Sequence, residues 1–193
     1  MREARKSRET KETSVTVSLN LDGNRNVHIN TGIGFFDHML TLFGFHAGID
    51  LEIEASGDLE VDDHHTVEDV GIVLGQTLAE AFRADRGIIR YGNSLLPMDE
   101  VLARVVLDVG GRAYLGYGVD LKREQVGTLA AENVEEFFRA LVREAQIVLH
   151  IDILKPGNTH HEIEAIFKGF GRALRQAVRR EEDLDVSSTK GVL

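Results

Sequence analysis

No cysteine occurs among the 193 residues of this chain. Disulfides, thiolate metal sites and thiol nucleophiles are excluded, and the redox compartment is left open. No apolar run approaches the roughly twenty residues of a membrane span, and no signal-peptide core is present. Basic residues are outnumbered, 22 Lys and Arg against 32 Asp and Glu. The resulting net charge of -10 argues against a nucleic-acid backbone as the main partner. The basic opening, Arg2 to Arg8, has an acid mixed in and no apolar segment, so the residues before Arg8 read as a frayed terminus. The rest has the composition of a soluble globular protein, 42% hydrophobic and 28% charged, with the cytoplasm as its default location. Its length suits one domain or two fused half-domains. With no thiolate to offer, the chain can hold a metal only through imidazole and carboxylate. Those donors suit manganese, iron, zinc or nickel better than copper(I).

What the chain does have is a stretch rich in such donors, Asp62-Asp63-His64-His65-Thr66-Val67-Glu68-Asp69. It stands just ahead of an apolar-periodic run that predicts a helix. Residues three and four apart share a helix face, so His64, His65 and Glu68 crowd one turn. The signature returns as His160-His161-Glu162-Ile163-Glu164, at an offset of 96 residues. That offset persists downstream, pairing Gly75 with Gly171, Leu78 with Leu174 and Ala81 with Ala177. One such motif is ordinarily a solvated first turn. Two in register ask for a chemical explanation.

The remaining periodicities fit a duplicated chain. Val15, Val17, Leu19 and Leu21 alternate with polar residues as a half-buried strand, and Val27-His28-Ile29 begins a second after the turn at Asp22-Gly23-Asn24. Phe36, Met39, Leu40 and Phe43 sit at helical spacing, and Ile49 to Ala55 alternates again. A short strand is expected at 59–61, before the helix that runs from His64 towards Gly87. The second half reads as strands over 101–109 and 114–121, a helix over 132–146, a strand over 147–154 and a long helix over 160–180. Each half is strand–strand–helix–strand–helix, which predicts an α+β protein with apolar helix faces against mixed or mostly antiparallel sheets.

Two more positions join the donors. His38 lies 26 residues before His64, and Glu136 lies 24 residues before His160, each amid an apolar helix. Either could ligate, although for Glu136 a solvated helix-face carboxylate is the ordinary alternative. Adjacent histidines diverge by about 100° around a helix, so His64 and His65 are expected to serve different ions. Two metals shared between halves, or between subunits, follow. His46 is a surface histidine or a substrate contact, and His28 and His150 read as structural.

Together these residues resemble imidazoleglycerol-phosphate dehydratase, a family of histidine-biosynthesis enzymes, from about Arg8 to Leu193. The resemblance is carried by Thr10-Lys11-Glu12-Thr13, the run from Gly32 to Leu40, the run from Asp62 to Asp69, Arg90-Tyr91-Gly92 and Gly111-Arg112. The run from Asn158 to Glu164 and the closing Ser188-Thr189-Lys190-Gly191-Val192-Leu193 complete it. It implies an internal duplication of a β-β-α-β-α half, residues 1–90 and 91–193, with two four-stranded sheets and the helices packed between them. It implies two Mn2+ ions per active site, held by His38, His64, His65, Glu68, His160, His161 and Glu164. Many relatives have a histidine where this chain has Glu136, which as an oxygen donor could be the eighth ligand. It also implies sites between subunits of a trimer and trimers assembled into a twenty-four-subunit particle; some relatives carry a fused histidinol-phosphate phosphatase, for which this chain is too short, so a monofunctional enzyme is expected.

The implied reaction dehydrates imidazole glycerol phosphate to imidazole acetol phosphate. The C2 hydrogen is not acidic, because no carbonyl lies beside it, so the imidazole ring must supply the electrons that expel the hydroxyl. Two metals at the ring nitrogens would favour the ring anion and orient the substrate, and a carboxylate must move protons. The resemblance places Glu12 near substrate as acid/base, with Glu68 or Glu164 as rivals. His38, His46, His64 and His160 are further candidates for substrate contact. Arg90, Arg112, Lys168 and Lys190, with Ser188 and Thr189, match phosphate-binding positions, where a guanidinium fork or an ammonium is suited. Two other readings of the same cluster are a dinuclear phosphoesterase and a non-catalytic assembly protein joined by metal. An assembly joint has no use for phosphate-reading cations.

Overall fold

The structure, a computed structural model, describes residues 2–83 and 87–181. In chain order the elements are β1 Glu3–Glu9, β2 Thr13–Asn20, β3 Val27–Asn30, α1 Gly34–Ala47, β4 Asp50–Gly57 and α2 His64–Arg83. The second half follows with β5 Tyr91–Met98, β6 Val101–Asp108, β7 Tyr114–Gly118, a short hairpin of β8 Gln125–Val126 and β9 Leu129–Ala130, α3 Glu132–Ala145, β10 Val148–Lys155 and α4 Thr159–Ala177. One sheet has the order β1-β2-β4-β3 and the other β5-β6-β10-β7. In each, the last pairing, β3 with β4 and β7 with β10, is parallel and the others are antiparallel. The halves therefore share one topology, and the α+β fold with two four-stranded sheets is the one expected.

The first half carries one strand more than its periodicity predicts, and the second carries β5 and the short β8–β9 hairpin besides. Residues before Arg8 are not a frayed terminus: Glu3 to Glu9 pair antiparallel with Asn20 to Ser14. β5 was likewise hidden. The strand expected at 59–61 is instead a turn, closed by Val61 N–H donating to the Asp58 carbonyl at 2.8 Å. β7 stops at Gly118 and α4 at Ala177, each a few residues short of the predicted end.

The alternating strands bury one face each. Val15, Val17 and Leu19 of β2 and Leu51 and Ile53 of β4 point inward, as do Val105 and Leu107 of β6 and Leu149 and Ile151 of β10. The helices fill the space between, α1 and α2 on the first sheet and α3 and α4 on the second. α1 runs beside α4, and α2 beside α3. The glycines paired by the 96-residue offset make these approaches possible: a Cβ on Gly171 would stand 2.6 Å from the Phe43 carbonyl oxygen, and one on Gly75 2.6 Å from that of Leu141. Aromatic rings lock the α1–α3–α4 junction. Phe43 stacks on Phe170 at 4.9 Å and Phe137 on Phe167 at 5.4 Å, with Phe36 edge-on to Phe137 at 5.3 Å. One buried cluster draws on both halves, so they share a core.

A candidate metal centre at the helix starts

The side-by-side helices are parallel, so their N-termini meet in pairs. At the start of α4, Asn158 caps the helix, its side chain accepting from His160 N–H at 2.9 Å. At the start of α2, Asp62 accepts from His64 N–H at 2.8 Å. The segment 123–131 runs past all four starts. Arg123 N–H donates to Thr159 Oγ1 at 3.3 Å, Ala130 N–H donates to Asp63 Oδ2 at 2.7 Å, and Gly127 lies against Phe35. The positive ends of four helix dipoles thus gather at one end of the sandwich, where carboxylates are favoured.

In the second half the predicted donors converge. His160 Nε2 is 3.2 Å from Glu164 Oε2, one turn along α4. His38 reaches the same oxygen from α1, its Nε2 at 3.9 Å. A ligand atom from each of His38, His160 and Glu164 lies within 4.8 Å of the others. Glu164 is buried, and Lys168, a further turn along, donates to its Oε1. Burial pushes the Glu164 carboxyl up, but the Lys168 and His160 hydrogen bonds and charges outweigh it, and the group sits below the usual carboxylate range. Two imidazoles and one ionised carboxylate form a donor set that fits a divalent ion.

The first half repeats the arrangement in looser form. His64 Nε2 stands 3.8 Å from Glu68 Oε2, and its Nδ1 faces Asn133 Oδ1 at 3.0 Å. Asn133 donates in turn to Asp63 at 2.9 Å. His65 Nδ1 is 3.1 Å from Asp58 Oδ2 and 3.9 Å from Glu12 Oε2; the Asp58 hydrogen bond, ahead of Glu12, holds this histidine above its ordinary pKa. His161 Nδ1 is 3.0 Å from Glu100 Oε2, with Asp99 at 3.9 Å from its Nε2. The Glu100 carboxyl is held down to about 2, first by the backbone N–H of Asn158 and also by His161.

Glu136 stands fifth in α3 as His38 stands fifth in α1. Its carboxylate pairs with Arg139, one turn along, at 3.5 Å, and it makes no three-donor group with His64 and Glu68 among the described residues. Among the described residues, no such group joins a donor at the start of α2 to one at the start of α4.

The predicted phosphate cations are separated. Lys168 is at the site, but Arg90 donates its backbone N–H to Ala177 at the far end of α4, and its guanidinium pairs with Asp108 at 2.6 Å. That hydrogen bond raises the Arg90 pKa. Exposed Arg112 follows β6 at the same end. His46 lies two turns beyond His38, near Gly171, and its pKa is lowered by burial first and by Lys168 and Arg172 next. Ser188, Thr189 and Lys190 lie outside the described residues. Asp58, Glu100 and Asn133 were not foreseen. For Glu100 a signal existed, because it directly precedes β6 as Glu12 directly precedes β2.

The family model for imidazoleglycerol-phosphate dehydratase matches residues 31–174. The chain belongs to that family. It is 55% identical over 189 residues to the imidazoleglycerol-phosphate dehydratase of Staphylococcus carnosus strain TM300, with 98% of each chain covered. It is 54% identical over 188 residues to that of Staphylococcus aureus strain JH9, with 97% of each covered. The crystal structure of the Staphylococcus aureus N315 dehydratase superposes with a TM-score of 0.85 at 50% identity, covering 93% of this chain and 99% of that one. The Pyrococcus furiosus enzyme, solved in complex with (S)-C348, gives 0.84 at 39% identity, covering 97% and 100%. Membership in the imidazoleglycerol-phosphate dehydratase family makes this chain an enzyme, a hydro-lyase.

Proposed function

We propose that this enzyme dehydrates imidazole glycerol phosphate to imidazole acetol phosphate in histidine biosynthesis, with two Mn2+ ions per site. The observation that carries the reading is the convergence of His38, from α1, on His160 and Glu164 of α4, in a chain that matches the dehydratase family across most of its length. His64, His65, Glu68 and His161 would complete the ligand set, with Glu136 as an oxygen donor in place of the histidine common among relatives. When bound, the ions would supply Lewis acidity to the substrate.

The protein residues do the rest. Glu12, exposed beside His65, would move the proton between carbon and solvent. Lys168 keeps Glu164 ionised and offers a cation to the phosphate. Arg90, Arg112, Ser188, Thr189 and Lys190 would bind the phosphate. The separation of Arg90 from His160 along α4 supports sites built between copies, in trimers assembled into a twenty-four-subunit particle. No described helix is long and apolar enough to cross a membrane, and we place the enzyme in the cytoplasm. Assay of the purified protein with manganese and imidazole glycerol phosphate, following the enolisable ketone, tests the reading. Appearance of the ketone is expected; an unchanged substrate overturns it.

A further inference from the structure

The two halves steady the second histidine of each pair with different parts. In the first half the carboxylate against His65 Nδ1 is Asp58, the residue that follows β4. β10, the counterpart of β4, is also eight residues long, and the residue that follows it is Pro156. Proline has no side-chain acceptor. In the second half the carboxylate against His161 Nδ1 is Glu100, from the turn between β5 and β6. By position that residue is the counterpart of Glu12, not of Asp58. Glu12 itself is 3.9 Å from His65, beyond hydrogen-bond reach, and its side chain is 58% exposed.

Glu100 is anchored as well as placed. Its Oε1 accepts from Asn158 N–H at 2.7 Å and stands 3.3 Å from His161 Nδ1, while Oε2 is at 3.0 Å. Asn158 is the residue that caps α4. One carboxylate therefore joins the β5–β6 turn, the cap of α4 and the His161 ring. A neutral imidazole has one N–H and one lone pair, and an acceptor at Nδ1 selects the form whose lone pair is on Nε2.

We propose that Glu100 is the positioning residue of His161: it accepts the Nδ1 proton, turns Nε2 outward as the ligating atom, and so does for the second half what Asp58 does for the first. Because Asp58 holds His65 in the first half, Glu12, the counterpart of Glu100, is left for substrate. The inference rests on the reading of His161 as a metal ligand.

The test uses Glu100→Ala, Glu100→Gln, Glu100→Asp and Asp58→Ala in the full chain. Long-range 1H–15N spectra of metal-free protein report which His161 nitrogen carries the proton, with the signals assigned by their loss in His161→Asn. Calorimetric titration with Mn2+ gives the affinity. Wild type should hold His161 as the Nδ1–H form. Glu100→Ala should mix the two forms and lose about 10–100-fold in Mn2+ affinity. Glutamine, with an oxygen able to accept from both Asn158 and His161, should restore the single form; aspartate, charged but one methylene short, should not. Asp58→Ala should disturb His65 and leave His161 unchanged. If Glu100→Ala keeps the Nδ1–H form and wild-type affinity, or if aspartate restores both and glutamine neither, the proposal is overturned. If Glu100→Ala does not fold, the Gln and Asp variants decide between position and charge. Should wild type bind no Mn2+, the metal reading fails, and the proton position in metal-free variants still decides the role of Glu100.

Discussion

Arg90 and His160 stand at opposite ends of the same helix. Arg90 N–H donates to the Ala177 carbonyl at the C-terminus of α4, and His160 lies in its first turn. At 1.5 Å per residue that is about 25 Å, too far for one small substrate to touch both within a chain. If both serve one reaction, two copies must meet.

Complementation reads this directly. Arg90→Ala and His160→Ala are each expected to be inactive. Stripped of metal, mixed and reassembled with Mn2+, roughly a quarter of the sites should draw both residues from unmutated copies. Activity should return to about that level. No recovery would place both residues in one chain's site or remove Arg90 from it.

If Glu136 takes the place of the histidine common among relatives, it should tune the choice of metal. Glu136→His should retain turnover and raise affinity for zinc and nickel relative to manganese, because imidazole favours those ions. Calorimetry with the three ions checks it, and unchanged relative affinities would remove Glu136 from the ligand set.

Phe167 is 1% exposed, stacked on Phe137 and packed against Phe36 and Phe138. Phe167→Ala should cost about 3–5 kcal/mol, read from denaturant unfolding. A loss below 1 kcal/mol, on the scale of an ordinary surface change, would contradict the role given to this aromatic junction.

The Arg2–Asp22 pair fastens β1, and the Arg2 hydrogen bond holds the Asp22 carboxyl below its usual range. A carboxyl depressed in the folded state stabilises the protein above its unfolded pKa of about 3.9 and loses that contribution as pH falls through the folded value. Asp22→Asn should therefore lower stability at pH 7, with the difference from wild type closing in acid. As the Asp22 side chain is 40% exposed, the effect should not exceed about 1 kcal/mol. A difference independent of pH would contradict the assignment.

The elements legible in the sequence are those whose burial imposes a period. β2, β4, β6 and β10 bury alternate residues, and α1 to α4 bury a stripe. Of the strands that escaped, β1 and β5 are sheet edges, and β8 and β9 form a hairpin of two residues a strand. Glu3–Glu9 buries only Ala4 and is otherwise polar or charged, and β5 carries Gly92 and Pro97. Charge and proline are what a sheet edge uses to refuse further strands, and they erase the apolar alternation. The site divides in the same way. His38, His160 and Glu164, which the structure brings together, were legible because chemistry limits the donors and, for His160 and Glu164, because they repeat His64 and Glu68. Asn133 and Asp58, which orient the rings, are ordinary helix-start and turn residues until the chain folds. Glu100 was visible only by aligning the halves strand by strand, at an offset of 88 for this turn and not the 96 of the histidines.

The most direct test strips the enzyme of metal, returns Mn2+ in steps, and follows bound ions per chain together with turnover of imidazole glycerol phosphate. The stripped protein should show no turnover, and turnover should be full as binding approaches two ions per chain. Turnover without metal, or two bound ions with an unchanged substrate, would contradict the proposed function.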